Sequence, residues 1–194
     1  TKNISSSLFS DDDHLDSLLS ELNDLVSNSL DLSERDRAIV SDFVNIRLEL
    51  NDGKVGRPAV INPTVAELKG YGTRLRDELD LYLGENSEYR HSLDIIHDSA
   101  TGMICVDFFK AKKTAPVSVV HADRETTAVL TTTRDELREE IGQWIYFNRD
   151  LRIHDGTKTY LFKPMQRFHW TESQAMIDAS EIIAETVAAE GATA

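Results

Sequence analysis

The spacing of apolar residues changes from helical to alternating after Gly84, and this change limits the folds that the chain can adopt. Before Gly84, apolar residues recur three and four positions apart, as they do along one face of an α-helix. After it, four residues share one parity, as residues on one face of a strand do: His91, Leu93, Ile95 and His97. Residues 1–84 are therefore predicted to form a helical N-terminal part, and residues 85–194 a mixed α/β part.

A stripe of leucines marks the first predicted helix, between Asp13 and Leu30. Its apolar members recur at helical spacing: Leu15, Leu18, Leu19, Leu22, Leu25, Val26 and Leu30. Most of the opposite face is acidic or polar. The stripe is expected to pack on the protein's own core. The alternative is an oligomeric, helix-mediated adaptor that binds a partner through Leu15, Leu18, Leu22 and Leu25.

Two further helices are predicted from capping patterns before Gly84. Ser33 with Asp36 is expected to cap a helix that runs to about Leu50. Thr64 with Glu67 forms a capping-box pattern for a helix that ends at Gly84. The inward residues of this last helix are predicted to be Leu68, Tyr71, Leu75, Leu79 and Tyr82.

The alternating part predicts two groups of three strands. The first group comprises a strand at 91–97, a turn at 98–102, a strand at 103–109 and a weaker strand at 117–120. The second group comprises a strand at 144–147 and a hairpin of residues 151–154 and 158–162. The hairpin encloses Asp155-Gly156, a pair suited to the positive φ angles of a type I′ turn.

Helices are expected between and after the two strand groups. Asp123 can cap a helix that reaches about Ile141, and Thr171 with Gln174 can cap a final helix. Strands that are grouped, without regular alternation with helices, favour antiparallel pairing. The sequence therefore predicts an α+β fold: N-terminal helices followed by antiparallel strands, with a helix between and after the two strand groups.

Length, cysteine content and hydropathy indicate one domain, 1–194, in the cytoplasm. A chain of 194 residues with 40% hydrophobic residues can bury its own core without disulfides. Its one cysteine, Cys105, lies in an apolar run and is expected to be a buried thiol. No apolar stretch approaches the roughly 20 residues that cross a bilayer, and no export signal is recognisable. No membrane partner is expected.

The formal net charge of −13 is unevenly distributed and restricts the possible partners. Residues 1–50 carry eleven acids against four bases, whereas residues 143–170 carry five bases against two acids. An acidic protein is repelled overall from phosphate polymers. Nucleic-acid binding would therefore have to be local or depend on a partner.

Basic and aromatic residues are interleaved between Arg149 and Trp170. Basic side chains bind phosphates and aromatic faces stack on bases, so this mixture is typical of nucleic-acid contact. The candidate nucleic-acid-binding residues are Arg149, Arg152, Lys158, Lys163, Arg167, His169 and Trp170. The same pattern fits an ordinary folded sheet, which is the favoured interpretation, or a surface for a protein partner.

No catalytic residue, metal site or cofactor is predicted. The six histidines lack the spacings of zinc motifs, and no local pattern places a Ser or Cys beside a His and an acid. The enzyme alternative is a metal-dependent nuclease using Asp94, Asp98 or Asp107 with Lys110. It requires these groups to converge, and Asp107 and Lys110 on opposite faces of a strand would count against it.

One family resemblance is carried by the run RIHDGTKTYLFKP at 152–164, then HWTESQA at 169–175 and Asp178-Ala179. Residues 149–187 resemble the C-terminal segment of bacterial proteins associated with restriction-modification or phage-defence DNA methyltransferases. The glycine-rich cofactor loop and Asn-Pro-Pro-Tyr-like motif of the methyltransferases themselves do not occur in the sequence. The resemblance implies a non-catalytic accessory or recognition component, acting through protein contacts and possibly nucleic acid. Its partner would be a DNA methyltransferase, helicase or nuclease of the same system.

Overall fold

The computed structural model describes residues 5–47, 57–128, 131–132 and 151–192, which belong to two compact units. The first unit is Thr1–Ser41 and the second is Asp42–Ala194. The organisation of the whole chain as one domain stays a prediction. The predicted strand at 144–147 and most of the predicted helix at 123–141 lie outside the described residues.

The first unit contains helix α1 (Ser5–Ser29) and most of helix α2 (Glu34–Asp42). Asp31 adopts a left-handed φ of 52°, and the Leu32 N–H donates to the carbonyl of Ser27 at 3.0 Å, which ends α1. The Ser33 hydroxyl accepts the Asp36 N–H at 3.2 Å, and the Asp36 carboxylate accepts the Ser33 N–H at 3.2 Å. This reciprocal pair confirms Ser33 as the cap of α2.

The two long helices of the second unit begin at the residues predicted to cap them, and the first of the two also ends as predicted at Gly84. After a π-helical turn at Phe43–Arg47 and the short helix α3 (Arg57–Val60), helix α4 spans Val65–Leu83. Thr64 and Glu67 form the predicted capping box, and Gly84 ends α4 with a φ of 83°. Helix α5 spans Glu172–Ala192.

In the described part of the chain, five strands form one sheet in the order β3-β1-β2-β5-β4. Their bounds are β1 Tyr89–His97, β2 Thr101–Lys110, β3 Ser118–His121, β4 Leu151–Asp155 and β5 Lys158–Pro164. The pairs β1–β2, β2–β5 and β4–β5 are antiparallel, whereas β3 is parallel to β1. The α+β prediction is confirmed, but the expectation of purely antiparallel pairing is wrong for β3, because the chain passes over β1 before adding this edge strand.

Helices α4 and α5 cover one face of the sheet and enclose the main core. Leu68, Tyr71, Leu75 and Leu79 of α4 are buried, as predicted, whereas Tyr82 in the last turn is 57% exposed. Gly72 permits the close approach of α4, because a Cβ there would lie 2.7 Å from Val117 Cγ1.

The tight turn between β4 and β5 is shifted by one residue from the prediction. Asp155 is paired with Lys158 in the ladder, so the two central residues are Gly156 and Thr157. The φ of Gly156 is 59°, whereas Thr157 does not have a positive φ. This is the pattern of a type II′ turn, which needs glycine only at the first central position. The predicted type I′ turn at Asp155-Gly156 is therefore corrected.

Gly156→Ala tests this turn, and Gly70→Ala in α4 is its control. Each substitution adds a methyl group that meets nothing within 4 Å. Gly156→Ala should lower the free energy of unfolding by about 1–3 kcal/mol, since its φ is strained for an L-residue. Gly70→Ala in α4 should raise it by about 0.5–1 kcal/mol, because alanine favours helix. Urea denaturation followed by circular dichroism measures both changes. A neutral Gly156→Ala would contradict the strained turn.

Candidate functional site

Lys163, a candidate nucleic-acid-binding residue, forms a buried ion pair with Asp178. Both side chains are fully buried. The Tyr71 hydroxyl donates to Asp178 Oδ2 at 2.5 Å, and Gln174 Nε2 donates to Asp178 Oδ1 at 3.1 Å. The Lys163 ammonium also lies 3.4 Å from the carbonyl oxygen of His169. Charges in a core need such partners, so Lys163 stabilises the fold.

His169 and Trp170 are buried beside this ion pair, with 5% and 2% of their surface exposed. The Trp170 ring meets Tyr71 edge to face at 5.1 Å between centroids, and its Nε1 donates to the carbonyl of Pro164 at 3.0 Å. A Cβ at position 102 would lie 2.5 Å from the Trp170 ring, so Gly102 makes room for the indole. The assignment of Lys163, His169 and Trp170 to a nucleic-acid surface is corrected, because their side chains are enclosed by protein.

Arg152 and Arg167 are partly exposed but compensated by carboxylates. Arg152 pairs with Glu181 and with Glu185, the latter at 3.0 Å. Burial acts to lower the pKa of Arg152, but the hydrogen bonds and charges of the two glutamates outweigh burial and raise it. Arg167 Nε lies 2.5 Å from Glu67 Oε1. Neither guanidinium group therefore contributes an unbalanced positive charge.

Lys158 is exposed at the start of β5, and its cross-strand neighbours on both sides, Asp107 and Asp155, are acidic. Arg149 lies outside the described residues. The described part of the 149–170 tract consequently combines buried core residues with charge-compensated arginines, as the favoured interpretation of an ordinary folded sheet predicts.

The four leucines predicted for partner binding form an exposed face on α1, called the leucine face here: Leu15, Leu18, Leu22 and Leu25. They are between 48 and 58% exposed. The expectation that this stripe packs on the protein's own core stays a prediction. Their spacing of three, four and three residues is that of the a and d positions of a coiled coil.

The carboxylates of the nuclease alternative do not gather around Lys110. Asp107 and Lys110 are three residues apart on β2 and lie on opposite faces, and Lys110 pairs with Glu88 at 2.7 Å. The Asp98 carboxylate caps the β1–β2 turn by accepting the N–H groups of Ala100 and Thr101 at 2.6 and 2.7 Å. In the part of the chain that the structure describes, no group of three or more His, Cys, Asp or Glu residues is arranged to hold a metal ion.

A cleft that the sequence did not predict lies between the C-terminal halves of α4 and α5, over one end of the sheet. Its volume is about 600 Å³. Its walls are mainly aliphatic and aromatic, and include Leu79, Leu83, Val106, Phe108, Ile182 and Ile183. Two histidines, His91 of β1 and His154 of β4, add polar groups to this lining.

Each cleft histidine is oriented by a carboxylate. His91 Nδ1 lies 3.0 Å from Asp80 Oδ1, and both side chains are 12% exposed. Burial lowers the pKa of His91 and outweighs the opposing hydrogen bond and charge of Asp80. The lowered pKa favours the neutral ring, and because a carboxylate oxygen accepts, Nδ1 carries the proton in the hydrogen bond with Asp80. His154 is more exposed and is bound at both nitrogens, by Glu185 at 2.8 Å and by Thr159 at 3.0 Å.

No protein-family model, curated protein or solved structure matches this chain. Among the described residues, no helix has the length and apolar composition needed to cross a membrane.

Lysine substitutions distinguish the buried part of the basic tract from its exposed part. Lys163→Ala should lower the free energy of unfolding by about 3–5 kcal/mol, because it leaves the Asp178 carboxylate buried without its cation. The matched control Lys158→Ala should stay within about 0.5 kcal/mol of the wild type. Urea denaturation measures both values, and equal small effects would contradict the buried ion pair.

Proposed function

We propose that this protein is a non-catalytic recognition component of a bacterial defence or restriction-type system, and that it binds a partner protein through the leucine face of α1. The observation that carries the proposal is the exposure of Leu15, Leu18, Leu22 and Leu25. Large apolar side chains arranged along one helical face favour association, because each half-exposed leucine would contribute about 1 kcal/mol when covered.

The charge of α1 defines the kind of partner. The helix contains Asp11, Asp12, Asp13, Asp16, Glu21 and Asp24, and it contains no Lys or Arg. A second copy of α1 would bring two acidic helices together, which is unfavourable. A partner helix with an apolar seam flanked by Lys or Arg would complement both the leucines and the charge.

The ion pairs of the 149–170 tract support a protein partner over a nucleic acid. Arg152 and Arg167 are compensated by glutamates, and Lys163 by Asp178. Nucleic-acid affinity depends on cations that are free to neutralise phosphates. The described part of the tract therefore favours protein contact as the mode of action.

The type of system is supported by the resemblance of residues 149–187 to proteins associated with restriction-modification or phage-defence methyltransferases. This resemblance supports the proposal that the protein acts in the bacterial cytoplasm beside a methyltransferase, helicase or nuclease. Residues 149–187, which carry the resemblance, contribute Lys163, Trp170 and Asp178 to a buried core.

A charged substitution on the leucine face tests the binding surface. The probe is a synthetic helical peptide with Leu at its a and d positions and Lys at e and g, titrated with the full chain by fluorescence anisotropy. Leu18→Asp with Leu22→Asp should weaken binding at least about tenfold, because two apolar contacts are replaced by charge. Ser17→Asp with Asn23→Asp adds the same charge to exposed positions off the leucine face and should retain binding.

Two results would contradict this mode of binding. One is equal weakening by both pairs of substitutions, which would indicate a charge effect alone. The other is a concentration-dependent dimer in sedimentation velocity that Leu18→Asp with Leu22→Asp dissolves, because the occupant would then be a second copy of this chain.

The system itself is tested by co-expression of the full chain with each protein encoded beside it. We expect co-purification with a methyltransferase, helicase or nuclease, lost on Leu18→Asp with Leu22→Asp and retained with the Ser17 and Asn23 control. A set of neighbouring genes that encodes none of these three classes of protein would contradict the defence assignment. It would not contradict partner binding through the leucine face.

A further inference from the structure

We infer that the cleft beside His91 is a binding site for a small, uncharged, mainly apolar molecule that donates one hydrogen bond to the His91 imidazole. The site lies in the second unit, whereas the leucine face belongs to the first. Its volume of about 600 Å³ falls within the range of about 300–1,000 Å³ that is usual for small-molecule pockets.

The walls define the apolar part of the ligand. Leu79 and Leu83 of α4 line one side, Ile182 and Ile183 of α5 the other, and Phe108 lies on the sheet between them. The Phe108 ring stacks on Tyr89 with 4.9 Å between centroids and an interplanar angle of 11°, which holds its orientation. Pockets with apolar walls and few polar groups bind ligands of the same character.

His91 supplies the directional contact. Asp80 Oδ1 accepts both the backbone N–H of His91, at 2.8 Å, and its ring Nδ1–H, at 3.0 Å. These two bonds fix the ring and place a proton on Nδ1, so that in the neutral ring Nε2 carries the lone pair. An Nε2 acceptor at the wall of an apolar cleft selects a ligand that donates, such as an N–H or O–H group.

The second histidine does not compete for this role. His154 Nε2 is engaged by Glu185 and its Nδ1 by Thr159. Glu185 and Asp80 also make the polar part of the surroundings negative, with Arg152 as the cation that compensates Glu185. An anionic ligand is therefore disfavoured on grounds of charge.

Indole and 1-methylindole test the inference, because they have the same ring system and differ at the donor. Each is titrated into ¹⁵N-labelled full-length protein and followed by NMR. Indole should shift amides that line the cleft and the Nε2 resonance of His91. 1-Methylindole should bind about 3- to 10-fold more weakly, the factor expected for one hydrogen bond. Indole-5-carboxylate should bind more weakly than indole.

Two variants and one control variant connect this preference to the site. His91→Asn places an amide donor where Nδ1 faces Asp80 and removes the Nε2 acceptor, so it should bind indole and 1-methylindole equally. Thr186→Trp, at an exposed position in the cleft lining, should block both probes, whereas Ala188→Trp on the same helix outside the lining should not.

Three results would overturn the inference. The first is no binding of either probe at millimolar concentration. The second is equal binding of the two probes by the wild type, or a preference that survives in His91→Asn. The third is indole binding that Thr186→Trp leaves unchanged, since the probe would then occupy another place.

Discussion

The buried ion pair between Lys163 and Asp178 fixes how the second unit is assembled. Lys163 belongs to β5 and Asp178 to α5, and Tyr71 of α4 donates to the same carboxylate. Either charge alone in a core would cost several kcal/mol, so strand and both helices must meet at this point. Trp170 then packs against Tyr71 and Gly102, and the remaining apolar core is arranged around this contact.

Local signals predicted the elements of the fold because local interactions produce them. The caps at Ser33 and Thr64 and the stop at Gly84 each depend on residues within a few positions. Local signals could not predict the Lys163–Asp178 pair, because β5 is buried on both faces. Three successive residues of this strand are all buried: Leu161, Phe162 and Lys163. Alternation cannot identify the inner face of such a strand, and a lysine in it resembles an outer-face residue.

Prediction from local sequence patterns is limited in the same way for the candidate sites. Amphipathic spacing predicted the leucine face correctly as a face, but it gives no information about what covers that face. The cleft is assembled from α4, β1, β2, β4, β5 and α5, and its principal pair, His91 and Asp80, joins a strand to a helix across Gly84. No motif spacing corresponds to this pair, because its geometry exists only after α4 has packed on the sheet.

The two kinds of charged group in this chain contribute to different free energies. In the second unit, Arg152, Lys163 and Arg167 are matched with carboxylates of the same unit, so their charges contribute to folding and leave little field for a partner. On α1, the acidic residues have no basic residue within the helix, and the leucines remain about half exposed. A half-exposed leucine contributes only part of its transfer free energy to folding. In the proposed complex the remainder would be released when the partner covers the leucine, so the binding energy would be concentrated on α1.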